Sequence, residues 1–364
     1  MLFLTLNTFS LTGGIEKVCR SVSKVLTDLS ARNVLSKHSV LSMYDDETDE
    51  RYVPKAQFTS FSGKKISFAL RAISEGCQVD IVILSHVHLL LFAWIIKKLK
   101  PRVRIILFAH GIEIWDTLAN WKARFLKNNV EIWAVSHYTA SKLKQIHKVD
   151  CQKISILNNC IDPYFKLPSN FEKNEALLNR YHLNTSTKII FALCRLSSAE
   201  QYKGYDKIIE AINHLPESVH FILAGKSDKE EEARLHTMIS KYGLESRVSL
   251  TGYLAEEQLA DHYLLADVFA MPSKGEGFGI TFIEAAACGC AVVAGNEDGS
   301  SDALLNGVLG TLVDPKDVSE ISKAIEEIFH RPNPVERKIK QQQNCIAAFG
   351  FDQYAKHLEK LLAI

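Results

Sequence analysis

Two carboxylates, Glu276 and Glu284, stand eight positions apart in the segment Ser273-Lys274-Gly275-Glu276-Gly277-Phe278-Gly279-Ile280-Thr281-Phe282-Ile283-Glu284. Three glycines punctuate it, and the apolar run from Ile280 to Cys288 reads as the start of a buried helix. A glycine-rich loop that enters a helix is suited to an anion. The unpaired N–H groups of the first turn point outward and the helix dipole favours negative charge. Glycine lets the backbone approach a ligand with no Cβ in the way. Carboxylates that accept from hydroxyl groups suit a sugar or a ribose. Anion and hydroxyls together predict a nucleotide-sugar.

Other residues have types that could complete such a site. Arg195 follows the apolar run Lys188–Leu193, and Lys203-Gly204 opens the next helical stretch. A guanidinium binds oxygen pairs as a fork and an ammonium acts as a point charge, so the two suit a diphosphate. Singly, each also reads as a solvated surface charge. His110 follows the run Val103–Phe108. At a strand end it can donate to a sugar hydroxyl or polarise a reacting oxygen, or be a structural histidine. Gly13-Gly14 separate the first apolar run from an amphipathic stretch starting near Ile15. They either present N–H groups to a phosphate or form a tight turn with positive φ. The pattern is not G-x-G-x-x-G, which argues against a dinucleotide dehydrogenase. His86 and His88 have an i, i+2 spacing but no evident third ligand, and no Asp-x-Asp pair is present to hold a metal against a diphosphate. No metal or other cofactor is expected. The acidic run Asp45 to Glu50 reads as a solvated loop.

These residues must be held by strands and helices, and the chain alternates the two. Strands are predicted over Leu2–Leu6, Ser39–Met43, Val79–Leu84, Val103–Phe108, Glu131–Val135 and Ile154–Leu157. A second set covers Lys188–Leu193, Val219–Ala224, Val248–Leu250, Val268–Met271, Ala291–Ala294 and Thr311–Val313. Near-continuous apolar strands with helices between them indicate parallel sheets covered on both faces. The expected fold is α/β: two Rossmann-like, doubly wound domains facing an interdomain cleft, with ligands at the C-terminal strand ends. The boundaries predicted are 1–163, 164–347, and a terminal segment 348–364. In that segment Phe351, Tyr354, Leu358, Leu361 and Leu362 share one helical face, so the helix could cross back to brace the first domain.

Length and composition agree with a two-domain globular protein: 364 residues, 47% hydrophobic and 23% charged. The net charge of +1 conceals an asymmetry, +9 over residues 1–160 and −8 over the remainder. Basic and aromatic residues interleave at Trp94, Lys97, Lys98, Lys100, Arg102 and Arg104, and again at Trp121, Lys122, Arg124, Phe125 and Lys127. Such stretches can lie on an anionic membrane surface; no nucleic-acid-binding motif accompanies them, so nucleic acid is not an expected partner. Cys194, Cys288 and Cys290 lie in apolar runs, as buried free thiols do, which points to a reducing compartment. No apolar run reaches the length of a membrane span, and the N-terminus does not read as a signal peptide. The expected location is cytoplasmic or peripheral on the inner face of the cytoplasmic membrane.

In order and spacing, Gly13-Gly14, His110-Gly111, Arg195 with Lys203, and Glu276…Glu284 resemble the motifs of glycosyltransferase family 4 over nearly the whole chain. Asn158-Asn159-Cys160-Ile161-Asp162 resembles the family's Asn-Gly-x-Asp segment, with Asn159 in place of glycine. The resemblance implies a retaining, metal-independent transferase of the GT-B fold. It implies that Glu284 binds the donor ribose, that Arg195 and Lys203 neutralise the leaving diphosphate, and that N–H groups around Ile280 and Thr281 assist them. Those around Phe278 and Gly279 would meet sugar hydroxyls, Glu276 would lie beside the transferred sugar, His110 would approach it from the opposite domain, and Gly14 would leave room for diphosphate and acceptor. Where the family often has Gly-Gly-Glu, this chain has Asp298-Gly299-Ser300-Ser301-Asp302, so no role is assigned to Asp302. The segments His110–Trp115 and Gly295–Ser300 resemble those of exopolysaccharide mannosyltransferases. The expectation is therefore a mannose donor, GDP-mannose, and a lipid-linked saccharide acceptor in surface polysaccharide assembly. A nucleotide-sugar 2-epimerase and a non-catalytic nucleotide-sugar-binding module are the competing readings.

Overall fold

The computed structural model describes residues 1–332 and 334–363. The chain divides into two compact units, one formed by Met1–Pro163 with Gly350–Ile364 and the other by Tyr164–Phe349. In the first, the elements run β1 (Leu2–Thr5), α1 (Gly14–Ala31), β2 (Ser39–Ser42), β3 (Phe58–Ser60), α2 (Lys65–Gly76), β4 (Ile81–Leu84), α3 (Leu90–Leu99), β5 (Arg104–Ala109), α4 (Ile112–Trp115), α5 (Asn120–Asn129), β6 (Val130–Ala134), α6 (His137–His147) and β7 (Ile154–Ile156). The strands pair in parallel in the order β3-β2-β1-β4-β5-β6-β7. The strand cores are buried because helices cover both faces, which is why they read as unbroken apolar runs. β3 was not expected. It is a three-residue edge strand, Phe58-Thr59-Ser60, in which only Phe58 is buried, and so carries almost no apolar signal.

The second unit holds α7 (Glu175–Arg180), β8 (Lys188–Leu193), α8 (Tyr205–Ile212), β9 (Val219–Ala224), α9 (Lys229–Lys241), β10 (Val248–Gly252), α10 (Glu256–Leu265), β11 (Val268–Met271), α11 (Ile280–Ala287), β12 (Ala291–Gly295), α12 (Ser300–Ala303), β13 (Thr311–Val313), α13 (Val318–His330) and α14 (Val335–Phe349). Its parallel sheet has the order β10-β9-β8-β11-β12-β13. Side-chain caps start several of its helices. Asp228 accepts from Glu231 N at 2.8 Å, and Asp317 from Ser319 N at 2.9 Å, each satisfying an orphan donor of a first turn.

The second unit extends past the predicted limit of 347, because α14 runs on to Phe349. Phe349 packs edge-on against Phe278, with ring centroids 5.4 Å apart, and Cys345 donates to Ile283 O at 3.2 Å. The final helix, α15 (Phe351–Leu362), belongs to the first unit. Tyr354, Leu358 and Leu362 are its buried face. Arg104, held by Glu131 at 2.8 Å, donates to Leu361 O and Leu362 O at 2.7 Å each, placing a cation on the orphan carbonyls at the helix end.

Candidate functional site

In the second sheet the chain winds outward from β8 through β9 to β10, then returns to add β11 on the other side of β8. At such a switch point the loops leaving the two central strands diverge and open a crevice at their C-terminal ends. The loop after β8 carries Arg195 and a 3-10 turn, Ser198–Lys203. The loop after β11 carries Ser273 to Gly279. The two are locked together. Lys274 N donates to Tyr202 O at 2.9 Å. Gly204, at φ +77°, lies so close to the next loop that a Cβ would stand 2.2 Å from Pro272 O.

This closeness brings Lys203 Nζ onto Glu276 Oε1 as an ion pair, with side-chain exposures of only 15% and 12%. Burial opposes the charge on Lys203, but Glu276, with help from Tyr202, outweighs it and raises the pKa. Arg195 behaves differently. It is 66% exposed and pairs with Glu200 at 2.9 Å. The predicted cations are thus separated by role: one is enclosed against Glu276, the other lies at the solvent rim.

Asp298, in the loop after β12, holds this cluster in shape, and no role for it was read from the sequence. One oxygen accepts from Ser273 Oγ at 2.6 Å and from Glu276 N at 2.7 Å; the other accepts from Ser300 N at 2.9 Å. Burial pushes its pKa up, against the hydrogen bonds from Ser273 and Ser300. Gly299 N donates to Glu276 O at 2.9 Å, and a Cβ on Gly299 would stand 2.1 Å from Gly277 O. Only the neighbouring loop reveals what the Asp298-Gly299 pair does. Glu231 does comparable work behind Lys203. Fully buried, it accepts from Gln201 Nε2 at 2.9 Å and Tyr205 OH at 2.7 Å, the residues that bracket Lys203.

Gly279, at φ +93°, turns the chain into α11. Phe278 and Ile280 bury their side chains, so only their backbone can face a ligand, while Thr281 is partly exposed. One turn on, Glu284 is fully buried and accepts from Tyr263 OH at 3.1 Å. Burial, then the facing carboxylate, raises the Tyr263 pKa well above its ordinary value.

In the first unit the switch lies between β1 and β4. Gly13 caps α1 at φ −74° and neither Gly13 nor Gly14 has positive φ, so the tight-turn reading of this pair fails. Gly14 is exposed at the helix start. The loop before it is organised by Asp45, which departs from the expected solvated run, while Asp46, Glu47 and Glu50 are exposed as expected. Asp45 is fully buried and accepts from Thr8 N at 2.7 Å, Phe9 N at 3.1 Å, Ser10 N at 2.8 Å, Ser10 Oγ at 2.6 Å and Ser42 Oγ at 2.7 Å. Five donors compensate its desolvation. His110 sits at the end of β5, stacked on Phe108 with its Nε2 2.9 Å from Ser85 O. A carbonyl only accepts, so Nε2 carries the proton and Nδ1 is the acceptor. In this neutral ring the remaining nitrogen, Nδ1, is left as an acceptor. His86 Nδ1 accepts from His88 N at 3.1 Å. Among the described residues no three His, Cys, Asp or Glu side chains gather in a way that could hold a metal ion.

Burial lowers the pKa of His110, His86 and His38 from 6.5 to about 4. Folded, they are neutral between those values; unfolded, they take up protons. Stability is therefore fully present above pH 6.5 and is lost as pH falls toward 4. A melting temperature followed across this window should decline, and His38→Gln should flatten the decline. An unchanged slope in that variant would refute the assignment for His38.

Residues 12–165 match the family model described as Glycosyltransferase Family 4, and residues 175–345 match that described as Glycosyl transferases group 1. Among similar proteins is a GDP-mannose-dependent alpha-(1-6)-phosphatidylinositol monomannoside mannosyltransferase of Mycolicibacterium smegmatis, 31% identical over 63% of this chain and 62% of that protein. A D-inositol 3-phosphate glycosyltransferase of the same organism is 30% identical over 53% of this chain and 43% of its own length. The chain thus aligns with less than two thirds of the length of either relative. Anabaena HepE, solved in complex with UDP and glucose, superposes with a TM-score of 0.81 over 99% of both chains at 19% identity, a likeness of fold.

Proposed function

Because the chain belongs to the glycosyltransferases, its first half to family 4 and its second half to group 1, we propose that it transfers a hexose from a nucleotide-sugar to a saccharide acceptor with retention of anomeric configuration. The observation that carries this reading is the enclosed Lys203–Glu276 pair, set among three loops beside the N-terminus of α11. In the resting protein Glu276 balances Lys203. A donor diphosphate takes over that balance, and Arg195 leaves Glu200 to meet the outer oxygens. Backbone N–H groups of Ile280 and Thr281 add the helix N-terminus. Glu276, released, meets the sugar hydroxyls with the N–H groups of Phe278 and Gly279, and Glu284 accepts from the ribose. In the first unit, His110 accepts from a saccharide hydroxyl through Nδ1, and the exposed Gly14 leaves space for the acceptor.

The bond from the anomeric carbon to the phosphate oxygen breaks as negative charge builds on the diphosphate, where fixed cations and helix N–H groups stabilise it. The acceptor hydroxyl adds to the anomeric carbon on the same face, and its proton passes to the departing phosphate oxygen. The nucleoside diphosphate leaves. Protein cations supply the neutralising charge in this scheme.

The Mycolicibacterium relative supports GDP-mannose as donor and a lipid-borne saccharide as acceptor, as in surface polysaccharide assembly on the inner face of the cytoplasmic membrane. The UDP in the Anabaena complex keeps uridine donors in the comparison. Among the described residues no helix is long and apolar enough to cross a membrane. A donor panel read by thermal shift tests the proposal, since a ligand at a hundred times its Kd stabilises the native state by about 2.7 kcal/mol. GDP-mannose should raise the melting temperature and, with a lipid-linked saccharide, release GDP. No shift with any nucleotide-sugar, or sugar isomerisation without acceptor, would overturn it.

A further inference from the structure

The two basic-aromatic stretches of the sequence meet in space. Trp94 on α3 and Trp121 on α5 are both exposed, and their rings stand edge to face with centroids 6.3 Å apart. Lys98 Nζ lies 5.9 Å from the Trp94 ring and Lys122 Nζ 5.8 Å from the Trp121 ring. α2 packs on the other side of α3 and extends the surface. Its Ile66 and Leu70 are 79% and 67% exposed, and Leu91 of α3 is also exposed. Isolated exposed apolar side chains are ordinary, but a set of large ones on three adjoining helices marks an interaction surface.

Charge identifies the partner. α2, α3 and α5 carry seven lysines and arginines and one acidic residue, Glu75. That acid is already engaged, by Arg71 and by Ser39 Oγ. A two-fold contact with a second copy would set this basic face against itself, and protein interface cores are depleted of lysine. We propose that the α2–α3–α5 face docks the protein on an anionic lipid bilayer. Tryptophan rings settle at the headgroup level of a membrane, aliphatic side chains enter the acyl boundary, and lysines reach the lipid phosphates. α3 leaves the sheet at the C-terminal end of β4, the edge where His110 stands on the neighbouring β5, so docking would present that edge near the membrane.

The inference does not depend on glycosyl transfer, and its test uses vesicles with no saccharide or nucleotide. The full chain should co-sediment with vesicles of equal parts phosphatidylglycerol and phosphatidylcholine and not with phosphatidylcholine alone. Tryptophan emission should shift to the blue on binding, and binding should weaken with added salt. Lys98→Gln/Lys122→Gln and Trp94→Ser/Trp121→Ser should each lower partitioning roughly tenfold or more, with melting temperature unchanged. Equal binding to neutral and anionic vesicles, or undiminished binding by both variants, would overturn the proposal. So would a dimer in solution that these substitutions dissociate while vesicles capture nothing.

Discussion

Lys203→Ala should lower turnover of the nucleotide-sugar by about a hundred- to a thousand-fold, the usual cost of removing one fixed group that stabilises a developing oxyanion. Lys203 is the enclosed cation of the site, and its pairing with Glu276 keeps it charged despite burial. The variant should also lose about 3–5 kcal/mol of stability, because Glu276 is left as an uncompensated, mostly buried carboxylate. These effects separate in the double variant Lys203→Met/Glu276→Gln. Removing both charges together should restore most of the stability, since a neutral pair of similar volume replaces the ion pair. It should not restore turnover. Nucleoside diphosphate release and chemical denaturation, measured on the same preparations, supply both readouts. Turnover recovering along with stability would mean that Lys203 serves the fold alone.

Glu284→Ala should abolish measurable donor binding, with kcat/KM down by at least about a hundred-fold. A site that hydrogen-bonds a substrate hydroxyl depends strongly on the group that accepts it. Glu284 is fully buried and accepts from Tyr263 OH, so alanine also strands a buried hydroxyl at about 1–3 kcal/mol. Tyr263→Phe is the control. It keeps the carboxylate but removes the Tyr263 hydroxyl that donates to it, and should raise KM by a few-fold while leaving kcat nearly intact. Titration calorimetry with the nucleoside diphosphate and with the bare diphosphate localises the effect. If Glu284 meets the ribose, the variant loses affinity for the nucleoside diphosphate and retains it for diphosphate. Equal loss for both ligands would contradict that role.

Much of the second unit was readable because its chemistry is local. Strands β8, β9, β11 and β13 begin and end where the apolar runs do, and the glycine-rich approach to α11 is contiguous in the chain. Parallel strands buried on both faces have few polar interruptions, so their limits are legible. β3 was not, because an edge strand of three residues is held by backbone pairing with β2 rather than by its own apolar pattern.

By itself the sequence determined two α/β halves, a terminal helix, and a loop suited to an anion beside hydroxyl groups. Each follows from residue type and spacing within one segment. Tertiary structure alone decided how the charged residues divide their work. Lys203 meets Glu276 across 73 positions and Asp298 reaches Glu276 N across 22, while Asp45 gathers a loop more than 30 positions away. It also decided that Arg195 pairs outward with Glu200, that His110 turns Nε2 to Ser85 O, and that Trp94 and Trp121 share one face. A carboxylate looks the same in the sequence whether water or five buried donors surround it. Its desolvation, and therefore its role, depends on which loops the sheet order brings to the same edge.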